Sequence, residues 1–442
     1  MCGYMTGRQQ RSSSPRPFHR NPVVRVLCTV TVGASVVTGC GVLPGGPGGS
    51  REPVTVMTWA PEGTAATNMP GMPAMAKAYA RWVNAAGGID GHELRVLTCN
   101  ERNTSAGAAD CARLAAKKDV TAVVGSYSQH GDAFMAPLEA AGIPYLGGYG
   151  IAEREFSSFV SYPVNGGQAA LLAGNGMQLA GECDRVSIVR PDTITGDAMP
   201  ELLNSGLSRG GGGGKDGGEA GGGDKATDIR AAEDATDYTD SAERARENAS
   251  DGCVTAVLGD RTETFFDSYR RLSDDDGNIR ISSVLGSVGQ PLVDRTGGSK
   301  GLFEGAYVTG WYPQASDPAW GPMRDVIREH AFGDDSIDPA DPGVQTTWIA
   351  YTALRSVVES IGRDTISSAT FSHALDKGAR VETGGLTPTL RWRYEDMLGS
   401  PGFPRIVNSE VTFQVVREGR LVSLKDGFVD VRGTLSDAGP SA

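Results

Sequence analysis

The chain has 442 residues, enough for two or three domains, and 39% of them are hydrophobic, including 6 Trp, 12 Tyr and 12 Phe, which excludes wholesale disorder. Its 41 basic and 53 acidic residues give a net charge of −12. Five arginines (Arg8, Arg11, Arg16, Arg20, Arg25) fall in the first 39 residues; without them 36 basic residues face 53 acidic ones, net −17, and such a body lacks the positive charge that grips a phosphate backbone, so no nucleic-acid partner is expected.

The first 39 residues read as an export leader: a basic Ser/Pro-rich stretch, then an apolar run from Val26 to Val37, too short to span a bilayer. The run ends in Val37-Thr38-Gly39-Cys40, which looks like a bacterial lipobox, so Cys40 is expected to carry lipid and open the mature chain. Residues 40–52 form a Gly/Pro tether. No later stretch is apolar for long enough to span a membrane, which makes the expected attachment an anchor at the outer face of the cell membrane. With Cys2 and Cys28 lost with the leader, four cysteines remain in an oxidising compartment. Three pairings are possible. Cys99 ends a strand and Cys111 lies in the next helix, a natural local bridge, while Cys183 and Cys253 bridge if the strands they precede are neighbours. A metal site is not expected, because none of the four remaining histidines (His92, His130, His330, His373) stands at ligand spacing from a cysteine.

Along the body, short apolar runs predict strands at Val54–Trp59, Glu93–Thr98, Thr121–Val124, Ile143–Leu146, Arg185–Val189, Val254–Leu258, Ile281–Leu285 and Ala306–Gly310. Helical patterns alternate with them at Gly71–Ala86, Ser105–Lys118, Gly131–Ala141, Gln168–Ala180, Thr262–Leu272, Pro318–His330 and Val344–Ile361. This alternation predicts parallel, doubly wound α/β sheets, and their number suggests two similar lobes. Residues 210–223, ten of them Gly, read as a solvated insertion, with an acidic stretch from Asp224 to Glu247 only partly ordered at its start. Thr389–Tyr394 and Val411–Leu424 read as antiparallel strands, the latter turning at Glu418-Gly419, and 431–442 as a frayed tail.

No catalytic signature stands out. Gly286-Ser287-Val288-Gly289 has Leu285 one place ahead of it rather than the first glycine of a nucleophile elbow, Lys215 is followed by Asp216 rather than the hydroxyl of a phosphate loop, and Glu153 replaces the last glycine of a dinucleotide fingerprint after Gly148-Tyr149-Gly150. No enzyme activity and no cofactor are expected.

Trp82-Val83-Asn84-Ala85-Ala86-Gly87-Gly88-Ile89-Asp90-Gly91 resembles the end of the first helix in type I periplasmic binding proteins, in the branch that holds branched-chain amino acids for ABC importers. Further matches follow in the family's order: Val124–Ser128, Ala141-Gly142-Ile143-Pro144, Asp192-Thr193 with Gly196, Glu304–Thr309 and the Gly419–Val422 turn. The resemblance implies two Rossmann-like lobes joined by three crossovers, near Tyr162-Pro163, Trp311-Tyr312 and 395–405. Lobe one would hold 53–162 with 312–395, and lobe two 163–311 with about 396–430. The two bridges proposed above each stay within one lobe.

It also implies a ligand beyond the carboxyl ends of the strands. Ser126, Tyr127, Ser128 and Gln129, before a helix N-terminus, match the family's carboxylate loop, although the family commonly has Ser where Gln129 stands. Gly148, Tyr149 and Gly150 match a second contact loop, where Tyr149 is either a contact or a rim aromatic. Trp59 is either pocket wall or core. In lobe two Thr195 replaces a frequent aromatic residue. Asp260 either meets a ligand ammonium or pairs with Arg261, and Ser287 lies on the next loop. The function implied is that of a monomeric, lipid-anchored extracellular protein capturing a small polar ligand, an amino acid or related metabolite, for an ABC permease. A ligand-sensing lipoprotein or a secreted hydrolase are the alternatives.

Overall fold

The computed structural model describes residues 51–64, 67–210, 225–272, 279–362, 365–398 and 402–437. The leader, Cys40, the tether as far as residue 50 and almost all of the glycine run lie outside them.

Two sheets organise the chain. The first has strands β1 (Arg51–Ala60), β2 (His92–Asn100), β3 (Ala122–Val124), β4 (Tyr145–Leu146) and β5 (Ser161–Tyr162) in the order 2-1-3-4-5, all parallel. The second orders β6 (Val186–Pro191), β7 (Thr227–Ala231), β8 (Cys253–Ala256), β9 (Arg280–Val284), β10 (Tyr307–Gly310), β11 (Glu410–Arg417) and β12 (Arg420–Ser423) as 12-11-10-9-8-6-7, with β13 (Val429–Asp430) beside β11. Strands β6 to β10 are parallel and β11 and β12 antiparallel to their neighbours. Near-continuous runs such as Ala122-Val123-Val124 have both faces buried, as parallel strands require.

Helices cover both faces. On the first sheet α1 (Gly71–Ala85) lies on one side, α2 (Ser105–Lys117) and α3 (Gly131–Ala141) on the other; on the second sheet α4 (Gly167–Leu179) packs on β10 and β11. Next come α5 (Ile194–Asp197), α6 (Met199–Gly210) against α4, and α7 (Thr239–Asn248), α8 (Thr262–Arg270) and α9 (Gln290–Arg295) around a separate core. The chain then returns to the first lobe, where α10 (Gly321–His330) and α11 (Pro342–Ile361) pack on α1 and α12 (Ser368–Asp376) packs on α11.

The glycine turn after α1 has a physical account. Asn84 exchanges two hydrogen bonds with the Leu94 backbone, 2.8 and 2.9 Å, which pins the helix end to β2. Gly87, Gly88 and Gly91 take φ of +97°, +83° and +82°, and a Cβ on Gly88 would come within 2.2 Å of the His92 carbonyl oxygen.

Both bridges form, Cys99–Cys111 and Cys183–Cys253, each with a Cα–Cα distance of 5.8 Å. Other expectations need correction. Thr389–Tyr394 is not a strand: Leu390 and Trp392 alternate inward, but the only pairing there is an isolated bridge from Leu390 to Val381. The acidic stretch, whose first residue lies outside the described residues, contributes β7 and α7. In the tail, Arg432–Asp437 is a helix, α13, with Leu435 fully buried.

Candidate ligand-binding cleft

The carboxyl ends of the two parallel sheets face each other across a cavity of about 390 Å³, a volume suited to a small metabolite. Sheet one supplies the loops after β1, β2, β3 and β4; sheet two supplies those after β6, β7, β8 and β9.

Three aromatic rings make its floor. Tyr127 meets Tyr149 edge-on at 5.1 Å, and Tyr149 meets Trp311 at 5.2 Å with an interplanar angle of 88°. Each is fixed behind the cavity. The Tyr127 N–H donates to the Trp59 carbonyl (3.0 Å), Gln129 Nε2 donates to Tyr127 Oη (3.1 Å), and Trp311 Nε1 donates to the Gly167 carbonyl (2.8 Å). Burial drives the Tyr127 and Tyr149 hydroxyls well above their ordinary pKa, so both stay neutral donors.

The loop carrying Tyr149 rests on Glu155. Its Oε1 accepts the N–H groups of Ile151 (3.1 Å) and Ala152 (3.0 Å), and its Oε2 accepts that of Gly150 (3.2 Å). Desolvation outweighs these bonds and pushes the Glu155 carboxyl up to about 7. Gly148 is obligatory, since a Cβ there would overlap Glu155 Oε2.

On the second lobe Arg190, 2% exposed, holds Asp228 of β7 with two 2.8 Å bonds and Asp197 of α5 with a third. It thereby fixes the segment that presents Thr193 and Thr195. Ser287 Oγ accepts the Gly259 N–H at 3.2 Å, tying the β8 and β9 loops.

The lobes touch across the mouth. Asp260 keeps a solvent-facing side, yet its carboxylate accepts the Asn68 N–H and reaches the Thr67 hydroxyl, and desolvation at the mouth raises its pKa. Gly286, with φ +94°, lets Tyr149 approach so closely that a Cβ would lie 2.5 Å from Tyr149 Oη. Behind the cavity Asn165 donates to the Tyr149 carbonyl (3.3 Å) and to Tyr312 Oη (3.0 Å), joining two chain crossings.

Of the residues singled out by sequence, Tyr127, Gln129, Tyr149, Gly150, Thr195, Asp260 and Ser287 line the cavity. Trp59, Ser126, Ser128 and Gly148 stand behind it. Trp59 packs against Phe134 and Tyr145, and Ser126 Oγ accepts the Trp59 N–H at 3.1 Å. Ser128 Oγ is turned towards Glu101 Oε2 at 3.3 Å. Sequence reasoning passed over Asn103, in the turn after β2, and used Trp311 only to mark a crossing; both line the cavity. Among the described residues no cluster of three or more His, Cys, Asp or Glu is placed to hold a metal ion.

The chain belongs to the periplasmic binding protein family: that family's model matches residues 57–398. Members bind solutes without converting them and work outside the cytoplasm. Among the described residues no helix is long and apolar enough to cross a membrane. No curated protein matches in sequence. Solved structures share the fold. One is a substrate-binding periplasmic protein from Ralstonia solanacearum (14% identity, 84% of this chain and 99% of that one, TM-score 0.66). Another is an ABC transporter solute-binding protein from Rhodopseudomonas palustris in complex with p-hydroxybenzoic acid (15%, 86% and 97%, 0.67). A third is a fatty acid ABC transporter substrate-binding protein from Thermomonospora curvata (13%, 88% and 95%, 0.66).

Proposed function

We propose that this chain captures a small polar ligand, an amino acid or related metabolite, between its two lobes and delivers it to an ABC permease. Cys40 carries the lipid that keeps it at the outer face of the cell membrane. The observation that carries the reading is the cavity of about 390 Å³ between two sheets, walled by Tyr127, Tyr149 and Trp311, with Asp260 reaching across its mouth. Rings on one side and polar loops on the other suit a ligand with a flat or apolar body and polar ends. The neighbours named above include proteins for p-hydroxybenzoic acid and fatty acids, so the fold alone does not choose the ligand.

A thermal-shift screen of amino acids and related metabolites, followed by calorimetry, tests this. A ligand of the cleft raises Tm with its concentration, binds one to one without turnover, and is lost in Tyr149→Ala. Turnover abolished by changing a single Ser or Asp overturns it. Mass spectrometry of the membrane-bound protein is expected to find a lipid on Cys40, and Cys40→Ser to release the chain into the medium; an unmodified Cys40 in membrane-bound protein refutes the anchor.

A further inference from the structure

The two rings that meet at right angles in the cavity wall, Tyr149 and Trp311, come from different parts of the chain, the loop after β4 and the crossing after β10. Both are tied to one three-residue segment, Asn165-Gly166-Gly167, where the chain enters α4. Asn165 Nδ2 donates to the Tyr149 carbonyl (3.3 Å), and Asn165 Oδ1 accepts the Gly167 N–H (2.9 Å). The Gly167 carbonyl accepts the Trp311 indole N–H (2.8 Å), and the Trp311 ring meets that of Tyr149 at 5.2 Å. These four contacts close a circuit, Tyr149–Asn165–Gly167–Trp311, behind the cavity.

The circuit is built at close quarters. A Cβ on Gly150 would lie 2.6 Å from Asn165 Oδ1, and one on Gly167 would lie 2.8 Å from the Gly150 carbonyl oxygen. Both glycines hold positive φ, +90° and +60°. Asn165 is 1% exposed, and its amide is fully committed: Nδ2 also donates to Tyr312 Oη (3.0 Å), which is hydrogen-bonded to Thr346 Oγ1 of α11 (3.0 Å).

The position calls for an amide. One atom must accept from Gly167 and the other must donate to Tyr149, and among side chains of this size only Asn offers both at once. A carboxylate would only accept, and an apolar side chain would leave a buried N–H and a buried carbonyl without partners.

We propose that Asn165 is a positioning residue of the cleft: without lining the cavity itself, it sets the Tyr149–Trp311 corner against which the ligand lies, and it does so from the first chain crossing. This rests on the cleft being the capture site.

The test follows the six tryptophan indole N–H groups of the purified chain by NMR, with the Trp311 signal identified by its loss in Trp311→Phe. In the wild type the Trp311 proton is expected to exchange with solvent as slowly as those of Trp320 and Trp392, which the Pro313 and Pro163 carbonyls hold. An unprotected Trp311 there overturns the circuit, whether or not any variant folds. In Asn165→Ala exchange at Trp311 is expected to rise ten-fold or more while Trp320 and Trp392 keep their rates. Asn165→Ser, which keeps an acceptor for the Gly167 N–H, is expected to show a smaller rise. Tyr312→Phe lies outside the circuit and is expected to change none of the three. If all three indoles speed up together in Asn165→Ala, or none does, Asn165 is structural only; the proposal is overturned and capture by the cleft stands. If Tyr312→Phe releases Trp311 as far as Asn165→Ala does, the second crossing holds the corner, and the proposal is overturned in the same way. If the metabolite screen finds no ligand, the capture reading falls and the positioning role with it.

Discussion

The cleft rests on buried carboxylates behind its walls, and Glu155 is the clearest. Its two oxygens gather three consecutive backbone N–H groups under the loop that presents Tyr149. The ordinary pKa of 4.5 rises to about 7 in the fold. Between those values the folded chain holds more protons than the unfolded one. The Glu155 contribution to stability is therefore complete below about pH 4.5 and is lost as pH rises through about 7. At 1.36 kcal/mol per pKa unit the loss is about 3 kcal/mol. Glu155→Gln cannot titrate, so its deficit relative to wild type is expected to shrink by about that amount from pH 4 to pH 8 in urea denaturation. A deficit independent of pH would show that the group does not titrate in this range. Asn103 illustrates why such residues escape sequence reading: nothing in Asn100–Thr104 marks a residue lining the cavity until Glu101 is seen to fold the turn towards α3.

At the scale of elements, the strands that were legible were those with uninterrupted apolar runs, because a parallel strand buried on both faces has no polar side to confuse the pattern. Strand β7 was missed for the opposite reason. Thr227-Asp228-Ile229-Arg230-Ala231 buries only Ile229 and Ala231, at the sheet edge, and its Asp228 is there to hold Arg190. Tyr127 and Tyr149 were legible as cleft residues because they follow strand ends. Trp59 stands near the end of β1 itself, and its side chain falls on the face covered by α3, a choice of side that depends on register. The bridges act within elements of one lobe. Cys99–Cys111 joins β2 to α2, and Cys183–Cys253 joins the end of α4's connection to β8. Their sequence separations are 12 and 70 residues, for which chain entropy gives about 3 and about 4 kcal/mol. The Cys183→Ala/Cys253→Ala pair is expected to lower Tm by the larger amount while leaving the Kd of the folded protein unchanged. A Kd altered ten-fold would mean that the bridge shapes the cleft.

For the whole molecule, the decisive contact is the approach of Tyr149 to Gly286 across the mouth. Gly286→Ala puts a methyl group 2.5 Å from Tyr149 Oη and strains a backbone at φ +94°. The variant is expected to hold the lobes apart, with ligand affinity reduced about ten-fold, or ~1.4 kcal/mol. Small-angle scattering is expected to show a larger radius of gyration with saturating ligand than the wild type has. Adding Tyr149→Phe removes the obstructing hydroxyl and is expected to restore part of the affinity. If the double variant binds no better than Gly286→Ala alone, backbone strain rather than the contact accounts for the loss. That the chain would make two α/β lobes was readable from strand–helix alternation; that they would meet through a glycine against a tyrosine hydroxyl was not, since the two residues lie on loops of different lobes.

Trp311 gives the cleft a second use. Trp59, Trp320 and Trp392 are sealed in the interior, and Trp82 and Trp348 pack on each other at 5.7 Å between α1 and α11. Trp311 alone among these lines the cavity, with its indole N–H held by the Gly167 carbonyl and its ring perpendicular to that of Tyr149. An arriving ligand changes the polarity around one indole out of six while the other five keep their surroundings. The molecule thus carries its own fluorophore at the point of occupancy, and emission on excitation of tryptophan becomes a label-free readout of a filled cleft, usable as a sensor before the ligand has a name.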